Sequence, residues 1–249
     1  MTTLVLLHAF PLDASMYDRM VPWLSGNVTD VLVPSFPGFG GRHLPDREPS
    51  LDVYADDVAH LLDEVGSERV VLGGTSMGGY TTMAFLRRHP DRVAGLVLID
   101  TKASADADDA AAGRRAMADR LEREATTDAL LGGVYPKLLG ESTFARRTPV
   151  ADEVRRWVAA APPPAAAWAQ RAMADRPDSF DTLRSCSVPA LVVVGEQDVL
   201  SPPVDAQAMV EALPDAELVV VPDVGHHSPV EAPEIVADAV ARFVASRLG

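Results

Sequence analysis

Short apolar segments recur along the chain and are separated by stretches long enough to form helices. Each segment is rich in valine and leucine and alternates little between apolar and polar positions, which is typical of strands buried on both faces of a parallel sheet. The segments are residues 4–8, 31–34, 70–73, 93–99, 190–195 and 218–221. Because helical stretches separate these segments, the pattern predicts an α/β protein with a mostly parallel sheet.

The intervening stretches show the spacing of amphipathic helices. Between residues 51 and 65 the apolar positions recur at intervals of three and four, and Ser50 is a suitable N-cap. A last helix is expected to start near Pro233, because proline is favoured in the first turn of a helix.

One long interval lacks a strand pattern. Residues 103–180 are rich in alanine, arginine and acidic residues and are interrupted by three consecutive prolines at 162–164. Since this interval is longer than an ordinary crossover connection, we expect a helical cap inserted into the sheet domain. The predicted organisation is therefore a core formed by residues 1–102 and 181–249, with a cap at 103–180; two crossover helices with long loops are the alternative.

Composition and charge narrow the possible functions. The 249 residues are 47% apolar and 23% charged, which is typical of a globular protein. The formal net charge of −14 disfavours nucleic acid and anionic membrane surfaces as partners. Only Lys102 and Lys137 among the basic residues are lysines, which we interpret as a compositional bias of the chain that says little about function.

The cysteine content, the first residues and the length of the apolar stretches bear on the cellular compartment of the protein. Cys186 is the only cysteine, so the chain contains no internal disulfide, and its apolar surroundings predict a buried structural residue. Residues 1–3 lack the basic start of a signal peptide. No stretch reaches the roughly 18 apolar residues of a membrane-spanning helix. We therefore expect a cytoplasmic protein.

The strongest chemical motif is the Gly-Thr-Ser-Met-Gly-Gly segment at 74–79, which lies between a predicted strand and a predicted helix. Glycines allow a tight turn there, and the turn projects Ser76 from the end of the strand, so that Ser76 is the candidate nucleophile. The following helix N-terminus favours developing negative charge. A phosphate-binding loop would place lysine after the last glycine, where this chain has Tyr80.

This motif, with Arg-His-Pro-Asp-Arg-Val at 88–93, resembles the serine-nucleophile branch of the α/β-hydrolase superfamily, in particular small bacterial esterases and enol-lactonases. The resemblance implies an α/β-hydrolase fold with flanking helices and an inserted helical cap. The chain begins at what resembles the family's third strand, so we expect six strands, all parallel. Dehalogenases and epoxide hydrolases of this superfamily use an aspartate nucleophile, and Ser76 argues against their chemistry.

A serine nucleophile needs a base, and His226 is the best candidate among six histidines. It lies in a loop after the last strand, and the chain order of serine, acid and histidine is the order used by this fold. Glu-Ala-Pro-Glu at 231–234 lies at the distance after His226 that similar enzymes show. The neighbouring His227 is the alternative.

The acid that orients the histidine is expected just past a strand at the same edge of the sheet. Asp198 follows the strand at 190–195 and is the first candidate. Asp100, at the end of the strand at 93–99, and Glu196 are the alternatives.

An oxyanion hole needs two backbone N–H donors. One is expected from Met77, the residue after the nucleophile. The resemblance of residues 8–11 to the family's His-Gly-x-Pro segment implies Phe10 as the second donor, although Ala9 replaces the glycine.

Together these features predict a hydrolase that cleaves a carboxylic ester or lactone of a small-molecule substrate through an acyl-enzyme on Ser76. A C–C bond hydrolase, an acyltransferase or a perhydrolase could use the same triad, and a non-catalytic binding protein could retain the fold. No metal site or cofactor is expected, and the oligomeric state is left open. The aromatic residues expected either to line the substrate pocket or to form the cap core are Trp157, Trp168, Tyr135 and Phe144; cap arginines could bind a substrate carboxylate.

Overall fold

A computed structural model of the chain describes residues 3–24, 28 and 30–248. The strands are β1 (Thr3–Leu7), β2 (Asp30–Leu32), β3 (Val70–Thr75), β4 (Val93–Ile99), β5 (Ala190–Gly195) and β6 (Ala216–Val221). They form one six-stranded sheet in the order β2-β1-β3-β4-β5-β6, and all neighbouring strands are parallel. The prediction of six parallel strands is confirmed.

Burial along the strands explains why the sequence pattern identified them. Every residue of β3 and β5 is buried, because these central strands are covered on both faces. The edge strands β2 and β6 are more exposed. The second strand ends at Leu32, before Pro34, which has no N–H group to donate to a neighbouring strand.

Helices connect and flank the strands. They are α1 (Leu51–Glu64), α2 (Met77–Arg88), α3 (Asp108–Glu124), α4 (Asp128–Gly133), α5 (Glu141–Arg146), α6 (Thr148–Ala160), α7 (Pro163–Ala174), α8 (Phe180–Arg184), α9 (Pro203–Ala212), α10 (Ser228–Glu231) and α11 (Pro233–Leu248). Ser50 is the N-cap of α1, as predicted, since its side chain accepts a hydrogen bond of 3.2 Å from the Asp52 N–H. The last helix begins at Pro233, as predicted.

The segment between β4 and β5 is helical, and the described residues within 103–180 include no strand. Helix α3 packs along α7, and a short 3₁₀ helix, Tyr135–Lys137, follows α4. Trp168 of α7 anchors the segment to the rest of the protein, because its ring packs on Tyr54 of α1 and its Nε1–H donates to the Arg47 carbonyl at 3.0 Å. The division into a core and a cap with boundaries at 103 and 180 remains a prediction.

The start of the chain is described only from Thr3. Met1 and Thr2, on which the expectation about a signal peptide partly rests, lie outside the described residues. Within the described ranges, no helix combines the length and the apolar character needed to cross a membrane.

Candidate active site

The loops after four parallel strands bring the predicted site residues together. Phe10 follows β1, Ser76 follows β3, Asp198 follows β5 and His226 follows β6. The carboxyl ends of parallel strands meet at one edge of a sheet, which is where sites form in such folds.

Ser76 occupies a strained turn between β3 and α2. Its backbone has φ of 55° and ψ of −111°, a combination that non-glycine residues rarely adopt. The turn is held by the Ser76 N–H, which donates to the Ile99 carbonyl at 2.9 Å, and by the Thr101 hydroxyl, which donates to the Ser76 carbonyl at 2.9 Å. The surroundings therefore impose the strained conformation that presents the Ser76 side chain.

The glycines of the motif are required by close backbone contacts. A Cβ atom on Gly78 would lie 2.0 Å from the Leu7 carbonyl oxygen, and one on Gly74 would lie 2.2 Å from the Gly78 carbonyl carbon. These contacts let the start of α2 pack directly against the end of β1, which is the geometric reason for glycine at both positions.

Ser76, His226 and Asp198 form a continuous hydrogen-bonded chain. Ser76 Oγ lies 2.7 Å from His226 Nε2, and His226 Nδ1 lies 2.8 Å from Asp198 Oδ2. All three residues are buried, with Ser76 retaining 8% exposure and the other two 3% each. A hydroxyl, an imidazole and a carboxylate in this order can move a proton from the hydroxyl to the imidazole.

The Asp198 carboxylate is fixed by its own loop. Its Oδ1 accepts hydrogen bonds from the N–H groups of Leu200, at 2.8 Å, and Ser201, at 3.0 Å. The Ser201 hydroxyl donates to Asp198 Oδ2 at 3.1 Å and lies 3.2 Å from His226 Nδ1. Ser201 was not identified from the sequence. Its position three residues after Asp198 could have indicated that it lies close to that carboxylate.

The histidine and the carboxylate shift each other's pKa. Burial lowers the pKa of His226, but the charge of Asp198 and its hydrogen bond outweigh burial and raise the pKa above its usual value of 6.5. Burial raises the pKa of Asp198, but the charge of His226 and the hydrogen bonds to Asp198 lower it below its usual range. The pair therefore favours an ionised Asp198 beside a more basic His226.

The alternative acids have other partners. Asp100 accepts hydrogen bonds from the Gly195 N–H at 2.9 Å and from the N–H and hydroxyl of Ser228 at 2.8 and 2.7 Å. Burial and the nearby charge of Asp198 raise the pKa of Asp100 to about 7. Glu196 is exposed and accepts a hydrogen bond from the Asp223 N–H. Asp100 thus connects the ends of β4 and β5 to the histidine loop.

The alternative base, His227, is fully buried beside His226, with ring centroids 5.6 Å apart. Neither of its ring nitrogens has a hydrogen-bond partner among the described residues. Burial and the neighbouring His226 charge lower the pKa of His227 to about 3. The structure therefore brings His226, and not His227, to the Ser76 hydroxyl.

A buried carboxylate also supports the histidine loop. Glu231 accepts hydrogen bonds from the N–H groups of Gly225 and Gly140, each at 2.9 Å, and a short one from the Thr143 hydroxyl. Since Gly225 precedes His226 and Gly140 lies within residues 103–180, Glu231 joins that segment to the loop of the candidate base. The sequence pointed to Glu231 only through its family-like spacing.

The two predicted oxyanion donors, Met77 and Phe10, come from different segments of the chain. Met77 is the first residue of α2, where backbone N–H groups are free of helical partners, and Phe10 lines the same cavity as Ser76. His8 holds the loop that carries Phe10, because its Nε2 accepts a hydrogen bond of 2.9 Å from the Phe36 N–H. Burial lowers the pKa of His8 to about 4, so that a neutral ring can accept this bond.

A cavity of about 330 Å³ opens on Ser76 and His226. Apolar side chains and four charged ones from the segment after β4 form much of its wall. Its described lining residues are Phe10, Ser76, Tyr80, Lys102, Asp106, Ala110, Gly113, Arg114, Met117, Gly133, Val134, Lys137, Leu138, Gln170, Met173, Leu200 and His226. The volume suits a small molecule.

The four aromatic residues expected at a substrate pocket do not line this cavity. Trp168 is hydrogen-bonded to Arg47, and Trp157 borders a different depression near Pro11. Tyr135 and Phe144 pack edge to face at 5.5 Å, with the Tyr135 hydroxyl donating to the Ala151 carbonyl. Trp168, Tyr135 and Phe144 therefore each pack on another aromatic ring of the protein.

A family model and a relative of known name both match most of this chain. A family model described as the alpha/beta hydrolase family matches residues 4–239. A 2-(acetamidomethylene)succinate hydrolase of Mesorhizobium japonicum is 27% identical over 251 aligned positions, which cover 97% of this chain and 87% of the relative.

Two solved structures share nearly the whole architecture. A thermophilic esterase from Thermogutta terrifontis superposes with a TM-score of 0.93 at 39% identity, covering 98% of this chain and 89% of that one. The enol-lactonase from Burkholderia xenovorans superposes with a TM-score of 0.88 at 26% identity, covering 98% of this chain and 92% of that one.

Proposed function

Since the chain belongs to the alpha/beta hydrolase family, we propose that it is a serine hydrolase that cleaves a carboxylic ester or lactone. The proposal depends above all on one observation, the hydrogen-bonded chain from Ser76 through His226 to Asp198 with distances of 2.7 and 2.8 Å. A buried carboxylate, imidazole and hydroxyl in this order activate the hydroxyl as a nucleophile.

In the first step Ser76 Oγ attacks the substrate carbonyl carbon while His226 Nε2 accepts its proton. The resulting oxyanion receives hydrogen bonds from the N–H groups of Met77 and Phe10. The carbon–oxygen bond of the ester then breaks, and His226 returns the proton to the departing alkoxide. The products of this step are an alcohol and an acyl group bound to Ser76; a lactone would leave its hydroxyl end attached to the acyl chain.

In the second step water replaces the alcohol. His226 accepts a proton from water, and the hydroxide attacks the acyl carbon to form a second oxyanion in the same hole. Collapse breaks the bond to Ser76 Oγ, which regains the proton from His226, and releases the carboxylic acid. Asp198 keeps its charge throughout and stabilises the imidazolium that forms in each step.

The relatives support the choice of ester and lactone substrates. One structural neighbour is an esterase at 39% identity, and another is an enol-lactonase at 26% identity. Each of the two structures covers 98% of this chain. Assays with esters and with lactones distinguish the two bond types.

We expect a burst of p-nitrophenolate when the protein is mixed with p-nitrophenyl butyrate. The burst should approach one equivalent per protein molecule if deacylation is slower than acylation, because the acyl group then accumulates on Ser76. Stopped-flow absorbance measures it, and lactones assayed by acid release test the second substrate class. A protein that binds these compounds but releases neither product would be a binding protein and would refute the proposed function.

We expect kcat/KM for ester hydrolysis to fall at acidic pH. The base must be neutral, and the pKa of His226 is raised above 6.5 by Asp198. Activity is therefore lost as the pH falls through a pKa higher than that of an ordinary histidine. Measuring kcat/KM between about pH 5 and pH 9 reports this group in the free enzyme. An acidic limb with its midpoint below 6.5 would contradict the influence of Asp198.

A further inference from the structure

The charged lining of the Ser76 cavity is mainly basic. Lys102, Arg114 and Lys137 line it, and among its described lining residues Asp106 is the one carboxylate. The chain as a whole carries a formal net charge of −14. A basic cavity in an acidic protein attracts anions that the rest of the molecule repels.

The Asp106 carboxylate does not offset the lysines, because two arginines already neutralise it. Its side chain is 2% exposed, and it lies 2.5 Å from Arg114 Nε and 2.8 Å from Arg176 Nη2. Burial raises the pKa of Asp106, but the hydrogen bond from Arg176 and the charge of Arg114 outweigh burial and lower it to about 2. These three side chains form a closed ion cluster with a net positive charge.

The two lysines differ from those arginines in their surroundings. Lys102 and Lys137 are the only lysines of the chain, and both line this cavity. Lys102 follows β4, whereas Lys137 ends the 3₁₀ helix within residues 103–180, so the two come from separate parts of the chain. Arg114 and Arg176 pair with Asp106, whereas neither lysine forms an ion pair with a carboxylate anywhere in the described ranges.

We propose that the substrate is a small ester or lactone with a free carboxylate, which binds the ammonium groups of Lys102 and Lys137 while its reacting carbonyl lies at Ser76. This inference rests on the proposed function for the position of the carbonyl. An ammonium group offers three donors and a concentrated charge, and its hydrogen bonds to a carboxylate are charge-assisted. The cavity of about 330 Å³ has room for a small ester together with a carboxylate at the other end of its acyl chain.

The test compares two esters of equal acyl length. Monoethyl adipate carries a free carboxylate, ethyl hexanoate does not, and released ethanol reports both reactions. We expect the wild-type protein to favour monoethyl adipate. Lys102→Gln and Lys137→Gln should each lower the ratio of kcat/KM values for the two esters about tenfold, as expected for losing a charged hydrogen bond. Added salt should lower the wild-type ratio as well.

Arg120→Gln is the matched control, since Arg120 is an exposed cation of α3 that pairs with Glu124 and does not line the cavity. It removes the same charge and should leave the ratio within about twofold of the wild type, as expected for a screened surface charge. Equal ratios in the wild type and both lysine variants would overturn the proposal.

A binding measurement separates this inference from the proposed function. Calorimetry of monoethyl adipate with the Ser76→Ala protein should show binding that the additional changes Lys102→Gln and Lys137→Gln abolish. If the wild-type protein hydrolyses no ester but this binding is observed, the carboxylate site stands and the hydrolase function fails. If binding is absent, or persists without the lysines, the carboxylate site fails whatever the esterase assay shows.

Discussion

Replacing Ser76 with alanine should lower kcat/KM for p-nitrophenyl butyrate by at least about 10³-fold, equivalent to about 4 kcal/mol of transition-state stabilisation. Alanine keeps the Cβ atom and removes only the oxygen that lies 2.7 Å from His226 Nε2. Without that oxygen no acyl-enzyme can form, and the residual rate comes from the oxyanion donors and the binding of substrate.

The change should leave the fold intact, because the backbone contacts of Ser76 with Ile99 and Thr101 do not involve its hydroxyl. Circular dichroism and the thermal midpoint check this point. Ser185→Ala is a matched control, since Ser185 is exposed and outside the cavity. Full activity in the folded Ser76→Ala protein would show that another group performs the chemistry.

Asp198→Asn should lower kcat by about 10³- to 10⁴-fold, because asparagine cannot stabilise the imidazolium and favours the wrong tautomer of the ring. The acidic limb of the kcat/KM profile should also move to lower pH. The reason is that the Asp198 charge and its hydrogen bond raise the pKa of His226, whereas burial alone would lower it.

Asp100→Asn distinguishes the two aspartates that sequence reasoning left open. Asp100 accepts hydrogen bonds from Gly195 and Ser228 and has no contact with the imidazole among those described. We therefore expect its loss of kcat to be about 10²-fold smaller than that of Asp198→Asn. The exposed Asp238→Asn serves as a neutral reference. A larger loss of kcat in Asp100→Asn than in Asp198→Asn would show that Asp100, and not Asp198, is the acid that orients His226.

The strands were predictable because the central ones are covered on both faces. Strands buried in this way consist mostly of apolar residues, as β4 and β5 do. Strand ends were less predictable. The third strand continues through Thr75, two residues beyond the apolar run, because backbone pairing with β4 extends to the turn before Ser76. Register of this kind depends on the neighbouring strand as much as on the segment itself.

The three candidate catalytic residues could be placed because each follows a recognisable strand, and parallel strands bring their carboxyl ends to one edge. The hydrogen bonds that support these three residues could not be predicted from the sequence. The partners of Glu231 lie near residues 140 and 225, and no local pattern signals hydrogen bonds that cross so much sequence. Buried polar networks of this kind are specified by the folded structure.

The cavity walls were the least predictable part. Aromatic residues in a helical segment are equally suited to packing and to binding, and Trp168 forms its hydrogen bond with Arg47, far away in sequence. The rarity of lysine was visible in the sequence, but nothing local indicated that Lys102 and Lys137 line one cavity. Their shared position became visible only through the packing of residues 103–180 over the sheet edge.

Activation of Ser76 by His226 can be measured by reaction with a fluorophosphonate, followed by mass spectrometry of the resulting peptides. In this reaction the serine oxygen bonds to phosphorus and fluoride leaves. We expect a single adduct on Ser76 that forms at least about 10²-fold more slowly in the His226→Ala protein. An adduct on another residue, or equal rates of Ser76 labelling in both proteins, would contradict this activation.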